Sequence, residues 1–198
     1  MIFYEIDEFI YLKDFNDIKM FLNQSKFDKC DAVFLNWVHR SDNNKLHYEN
    51  KTLSERFPKR GKIVDKNKRN PLCSIKTIIR GSLNNIHFTN CHFLFTNLNG
   101  CNGYGKKNST KGQIMIEPDY DNYYINHYFG KSTEEFVNKV KRGDILRGKN
   151  LKMNMLQVYR YFVINELTYE KLSYIERHLG SRVNLTEYRL QLKTKKNI

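Results

Sequence analysis

Apolar and polar positions along this chain change period repeatedly, and the changes mark out its elements. Ile2-Phe3-Tyr4-Glu5-Ile6-Asp7-Glu8-Phe9-Ile10 places apolar residues around a compact acidic group, which predicts a strand ending in carboxylates. Asp14 stands where it can cap a helix, with Asp17 near the first turn and Ile18, Phe21 and Leu22 on one apolar face. Residues 32–38 are almost continuously apolar and predict a buried strand, so the chain begins strand, helix, strand.

Polar turn residues over 40–50 lead to a short helix over 52–57 that Pro58 stops. Runs rich in β-branched and aromatic residues follow at 73–80, 86–95 and 123–129, with a weaker one at 113–117. Ser132 and Glu135 have capping-box spacing, Phe136 and Val140 supply a helix face, and Gly143 supplies a stop. Residues 151–179 read as two helices separated near 165–168, with Gly180 as a second stop, and the tail from Lys193 to Lys196 is expected to fray.

Length and composition narrow the class. With 198 residues, 40% hydrophobic and 14% aromatic, the chain can bury one core, and the even spread of Phe, Tyr and Ile excludes a disordered, collagen-like or coiled-coil chain. The formal charge of +13 is unevenly placed. Residues 1–58 hold 8 basic against 10 acidic residues, a net −2, and the remainder holds 26 against 11, a net +15. The densest basic run is Lys59, Arg60, Lys62, Lys66, Lys68 and Arg69, in a loop-like stretch with Gly61 and Pro71. A solvated surface, an anionic ligand, a membrane surface and nucleic acid all suit such a run. No zinc-finger spacing, recognition-helix pattern or RNA-binding aromatic signature accompanies it, so there is no strong nucleic-acid signature. Tyr120, Tyr123, Tyr124 and Tyr128 instead interleave with Asp119 and Asp121, a mixture better matched to sugars than to phosphates.

Cys30, Cys73, Cys91 and Cys101 show no C-x-x-C spacing, and no secretory leader pattern precedes them, so buried thiols in a reducing compartment are expected. No apolar stretch reaches the roughly 20 residues that a transmembrane segment needs. A cytoplasmic protein, with peripheral membrane association left open, is the expectation. Two sequence patterns are decoys. Gly100 to Lys107 nearly spells a phosphate-binding loop, but Lys107 replaces the hydroxyl residue and no helix follows, so a surface loop is expected. His87, Cys91, His92 and Cys101 suggest zinc, yet His87 and His92 are an odd number of positions apart and would face opposite sides of one strand.

Glu5-x-Asp7 at a strand end would put both carboxylates on one face, where they can hold a divalent cation. Exposed acids without a ligand have the same spacing, so the surrounding blocks matter. Taken in order, these are Tyr4-Glu5-Ile6-Asp7-Glu8-Phe9-Ile10, Trp37, Glu55-Arg56-Phe57, Lys76-Thr77-Ile78-Ile79-Arg80, Cys91-His92-Phe93, and Ile125-Asn126-His127-Tyr128-Phe129-Gly130-Lys131-Ser132 with Glu134-Glu135-Phe136 and Lys141-Arg142-Gly143. Over residues 3–165 the chain resembles the C-terminal half of GT-A glycosyltransferases of the family 2 and family 92-like group, most strongly from His127 to Gly143.

The resemblance implies an α/β fold: a partial GT-A (Rossmann-like) mixed sheet with C-terminal helices, in which 1–148 form the catalytic region and 149–198 a helical extension. It implies that Glu5 and Asp7 match an acidic D-x-D motif that binds Mn²⁺ or Mg²⁺, with His127 completing the metal or diphosphate site. Lys131 and the amides around Ser132 would meet the diphosphate, Glu55 would be the general base, and Trp37 and His92 would line the acceptor site. The partners implied are a nucleotide-sugar donor and a glycan or other hydroxyl acceptor, with inversion at the anomeric carbon. Two departures stand out: Glu5 replaces the motif's first Asp, and Val38-His39-Arg40-Ser41 replaces a glycine-bearing segment after the Trp. The family's N-terminal nucleotide-binding portion is missing ahead of Glu5, so a split protein with an N-terminal partner half, inactive alone, is the expectation. The alternative is a non-catalytic basic module that binds an anionic glycan or nucleic acid.

Overall fold

A computed structural model describes residues 1–62, 74–84, 86, 92, 98–107, 109–143 and 150–196. The protein is mixed α/β, and the chain divides into two compact units of two segments each: Met1–Val38 with Val64–His127, and His39–Ile63 with Tyr128–Ile198.

The first unit is built on a five-stranded mixed sheet. Its strands are β1 (Glu8–Leu12), β2 (Ala32–His39), β3 (Ile75–Ile79), β4 (Gly100–Asn102) and β7 (Tyr123–His127), in the order β1-β7-β2-β3 with β4 also on β2. β1 runs antiparallel to β7 and pairs Glu8 with His127, β2 runs antiparallel to β3, and β4 lies parallel to β2. A small hairpin joins β5 (Thr110–Lys111) to β6 (Ile114–Met115). The nearly continuous apolar pattern of β2 reflects its central place: neighbours flank both edges and most of its side chains are buried. Phe21 and Leu22, on helix α1 (Ile18–Leu22), pack with Phe27, Leu35, Ile78 and Ile125 in the core. Asp17, rather than Asp14, caps that helix through the Lys19 amide.

Cys30 and Cys101 are joined by a disulfide, which corrects the expectation of free thiols for this pair; 71 positions of separation gave no local spacing to read. Gly100 to Asn102 form a strand, and the following turn is closed by Asn102, whose side chain accepts from the Tyr104 and Lys106 amides. Gly105 has φ +81°, and a Cβ there would sit 2.6 Å from the Lys26 carbonyl oxygen, so the glycine serves a tight turn and no phosphate loop. The imagined zinc ligands His87 and Cys91 lie outside the described residues, as do Cys73 and most of the run at 86–95.

The second unit is helical: α2 (Leu53–Arg56), α3 (Thr133–Arg142), α4 (Leu151–Ile164), α5 (Tyr169–Leu179) and α6 (Thr186–Lys196). Capping boxes start α2 at Thr52 and α3 at Ser132, and Gly143 and Gly180 end α3 and α5 with positive φ. Phe136 stacks on Tyr161 with ring centroids 4.2 Å apart. A buried polar network ties the loop after β2 to these helices. Asp42 accepts from Lys171 and from the Tyr161 hydroxyl, both at 2.6 Å, and Lys171 donates also to Asn44 Oδ1 at 2.8 Å. The tail expected to fray is helical through Lys196, because Leu185 and Leu192 are buried and anchor it.

Candidate functional site

The acidic opening does not lie on a strand. Glu5 to Glu8 form a turn immediately before β1, closed by the Glu8 amide donating to the Glu5 carbonyl at 3.1 Å. The Glu5 amide in turn donates to Glu8 Oε2 at 3.1 Å. The tight turn projects Glu5 and Asp7 together where strand alternation was expected to do so. Register completes the group: β1 pairs Glu8 with His127, the last residue of β7, and thereby sets the imidazole beside the turn. One ligand atom each from Glu5, Asp7 and His127 lies within 4.8 Å of the others. Glu5 is exposed, Asp7 half-buried and His127 buried, so the group has one wet side and one dry side.

Aromatic rings back the histidine. Trp37, on β2, lies 4.2 Å from the His127 ring between centroids and meets the His92 ring edge-on at 4.9 Å. His92 is fixed through its carbonyl oxygen, which accepts from Thr77 Oγ1 at 2.7 Å. The first unit therefore gathers five residues singled out in the sequence: Glu5, Asp7, Trp37, His92 and His127.

It also adds two that sequence reasoning gave no role. Lys76 is fully buried on β3 and puts Nζ 3.2 Å from Glu8 Oε2 and 3.5 Å from Glu5 Oε2. The Glu8 side chain is equally buried, and its Oε1 has no hydrogen-bond partner among the described residues. Burial pushes the Glu8 carboxyl up to about 7, against the pull of the Glu5 amide and the Lys76 ammonium. A lysine between apolar neighbours, in Ile75-Lys76-Thr77-Ile78-Ile79, is the signal that could have exposed the pair. Such a lysine can enter a core strand only with an acid waiting for it.

Glu55, Lys131 and Ser132 belong to the second unit. Glu55 accepts from both the Thr52 amide and hydroxyl, at 2.9 and 2.6 Å. The Thr52 hydroxyl and then its amide hold the Glu55 carboxyl below the ordinary range, which makes it a poorer base. Ser132 is buried, its amide and hydroxyl both donate to Glu135 Oε2, and the next two amides donate to the carbonyls of Lys45 and Leu46. These donors at the start of α3 are spent inside the fold, leaving them none to offer a diphosphate. Lys131 precedes the cap in the left-handed region, with φ +55°.

No protein-family profile, curated protein or solved structure matches the chain. No helix among the described residues is long and apolar enough to cross a membrane. The geometry of the first unit therefore carries the functional reading.

Proposed function

We propose that the first unit carries the divalent-metal site of a glycosyltransferase that uses a nucleotide-sugar donor and a hydroxyl acceptor, on a partial GT-A fold. The observation that supports this reading is the convergence of Glu5, Asp7 and His127 from a turn and a distant strand end. Two carboxylates and an imidazole suit a first-row divalent ion such as Mn²⁺ better than Mg²⁺, which favours all-oxygen shells. When bound, such an ion neutralises the diphosphate oxygens of a departing nucleotide.

The protein's own residues do the rest. Glu5 and Asp7 supply negative oxygens, with Glu5 offering a longer reach than the motif's usual Asp. Lys76 balances the buried Glu8 and draws one Glu5 oxygen inward, which restrains that side chain. Trp37 holds the His127 ring by contact and presents an aromatic surface on which the C–H face of a sugar can stack.

Calorimetric titration of UDP- and GDP-sugars with and without Mn²⁺ tests the proposal. Metal-dependent binding by the wild type, lost in Asp7→Ala, is expected. Binding that is absent, or that is indifferent to the ion and to Asp7, overturns it.

A further inference from the structure

The basic charge of this chain is segregated. The first unit holds 12 lysines and arginines against 11 acids, a net +1, and the second holds 22 against 10, a net +12. Within the second unit, α4 contains Lys152 and Arg160 and no acid, and α6 contains Lys193, Lys195 and Lys196 against Glu187, its Arg189 being paired with Glu176 of α5. Large apolar side chains also stand exposed on these two helices. Leu151, Tyr159 and Leu190 are 52%, 55% and 58% exposed, far more than large apolar side chains on helices that complete a core.

The arrangement is a track along one side of α4. Leu151, Met155 and Tyr159 recur every four residues and so share a face. A cavity of about 720 Å³ is lined by Lys152, Met153, Met155, Leu156 and Tyr159 of α4, with Glu187 and Tyr188 of α6. A second, of about 300 Å³, is also lined by Tyr159, Glu187 and Tyr188, and continues to Phe162, Val163 and Lys62. The groove follows α4 over about 20 Å, at 1.5 Å per residue, with a lysine toward each end. Lys62 is pinned there by its amide, which donates to the Ile164 carbonyl at 2.9 Å. Leu190 follows Glu187 by one turn of α6 and so adjoins the groove, and Lys193 stands exposed on the flank of that helix a further turn along.

We infer that the α4–α6 face of the second unit docks on a membrane surface bearing anionic lipid. Lysines answer the headgroup charge, and Leu151, Tyr159 and Leu190 enter the headgroup–acyl boundary, where an aromatic ring with a polar tip is favoured. The methionine-lined groove supplies a deformable apolar floor for the lipid chains the leucines displace. Glu187 is the one acid on the groove and is outnumbered by its basic neighbours. A nucleic acid would use the charge but leave the exposed leucines unexplained.

Sedimentation of the full chain with lipid vesicles tests this. Vesicles of phosphatidylcholine mixed with phosphatidylserine carry the protein down, pure phosphatidylcholine vesicles do not, and added salt releases it. Lys152→Gln and Lys62→Gln each weaken partitioning by about fivefold. Tyr159→Ser and Leu190→Ser each weaken it by about tenfold, without lowering the thermal midpoint. No partitioning, equal partitioning onto both vesicle types, or partitioning indifferent to Tyr159 and Leu190 overturns the inference. So does a single-stranded oligonucleotide that displaces the vesicles and whose binding needs the lysines but not Leu190. Self-association through Leu190 in place of vesicle binding assigns the face to a second copy and overturns it equally.

Discussion

Lys76 and Glu8 form an ion pair with no solvent exposure on either side chain, Nζ to Oε2 at 3.2 Å. Without Lys76 the buried Glu8 must either stay charged or take up a proton, so Lys76→Met should destabilise the protein by about 3–5 kcal/mol well above pH 7, and by less below about 7, where Glu8 protonates. Replacing both, in Lys76→Met with Glu8→Leu, should recover most of that loss, because the charge and its desolvation penalty leave together. Urea denaturation of the three proteins decides. A double variant no better than the single one would contradict this account.

The disulfide between Cys30 and Cys101 spans 71 positions. Closing a loop of that length restricts the unfolded chain by about 4 kcal/mol. Dithiothreitol, or Cys30→Ala with Cys101→Ala, should lower the unfolding free energy by an amount of that order. Alkylation under non-reducing conditions should find both sulfurs protected, and labelling of either in the oxidised native protein would exclude the bond.

Arg56 grips Glu135 with two hydrogen bonds, at 2.7 and 3.2 Å. Burial alone would raise the Glu135 carboxyl, but the bonds from Arg56 and Ser132 prevail and hold it below 4.5. A carboxyl lowered on folding contributes stability that is present above its unfolded value and is lost as pH falls through its folded value. Arg56→Met should cost about 2 kcal/mol at neutral pH. The gap between variant and wild type should narrow as the pH falls below 4.5. A gap constant with pH would show that Arg56 acts through packing alone.

Trp37 is the single tryptophan of the chain, and its ring lies 4.2 Å from that of His127. Paramagnetic Mn²⁺ at the Glu5, Asp7 and His127 group should therefore quench the intrinsic emission strongly, and Mg²⁺ should not. Asp7→Ala should abolish the saturable part of the quench. Emission unchanged by Mn²⁺ would count against ion binding at this place.

The boundaries legible in the sequence are those with local chemistry behind them. The Ser132–Glu135 capping box, the Gly143 and Gly180 stops and the two helices flanking Asn165 stand where spacing put them, since caps and positive-φ glycines act within a few residues. Glu5 and Asp7 come together as the motif suggested, but on a turn; alternation along a strand was the wrong local cause. What the sequence hid depends on distance. The Lys76–Glu8 pair and the Cys30–Cys101 bond join positions tens of residues apart, and no spacing rule links them. Glu55 and Ser132, singled out in the sequence for chemistry, both carry helix-capping contacts, Glu55 with Thr52 and Ser132 with Glu135.

The pairing of Glu8 with His127 closes the longest connection in the first unit. While the chain is being synthesised, the acidic turn leaves the ribosome about 120 residues ahead of its histidine. Lys76 arrives in between, so the residue that pairs with Glu5 and Glu8 is made before the histidine of the cluster. Bringing Glu5, Asp7 and His127 together is therefore one of the later events in the folding of that unit.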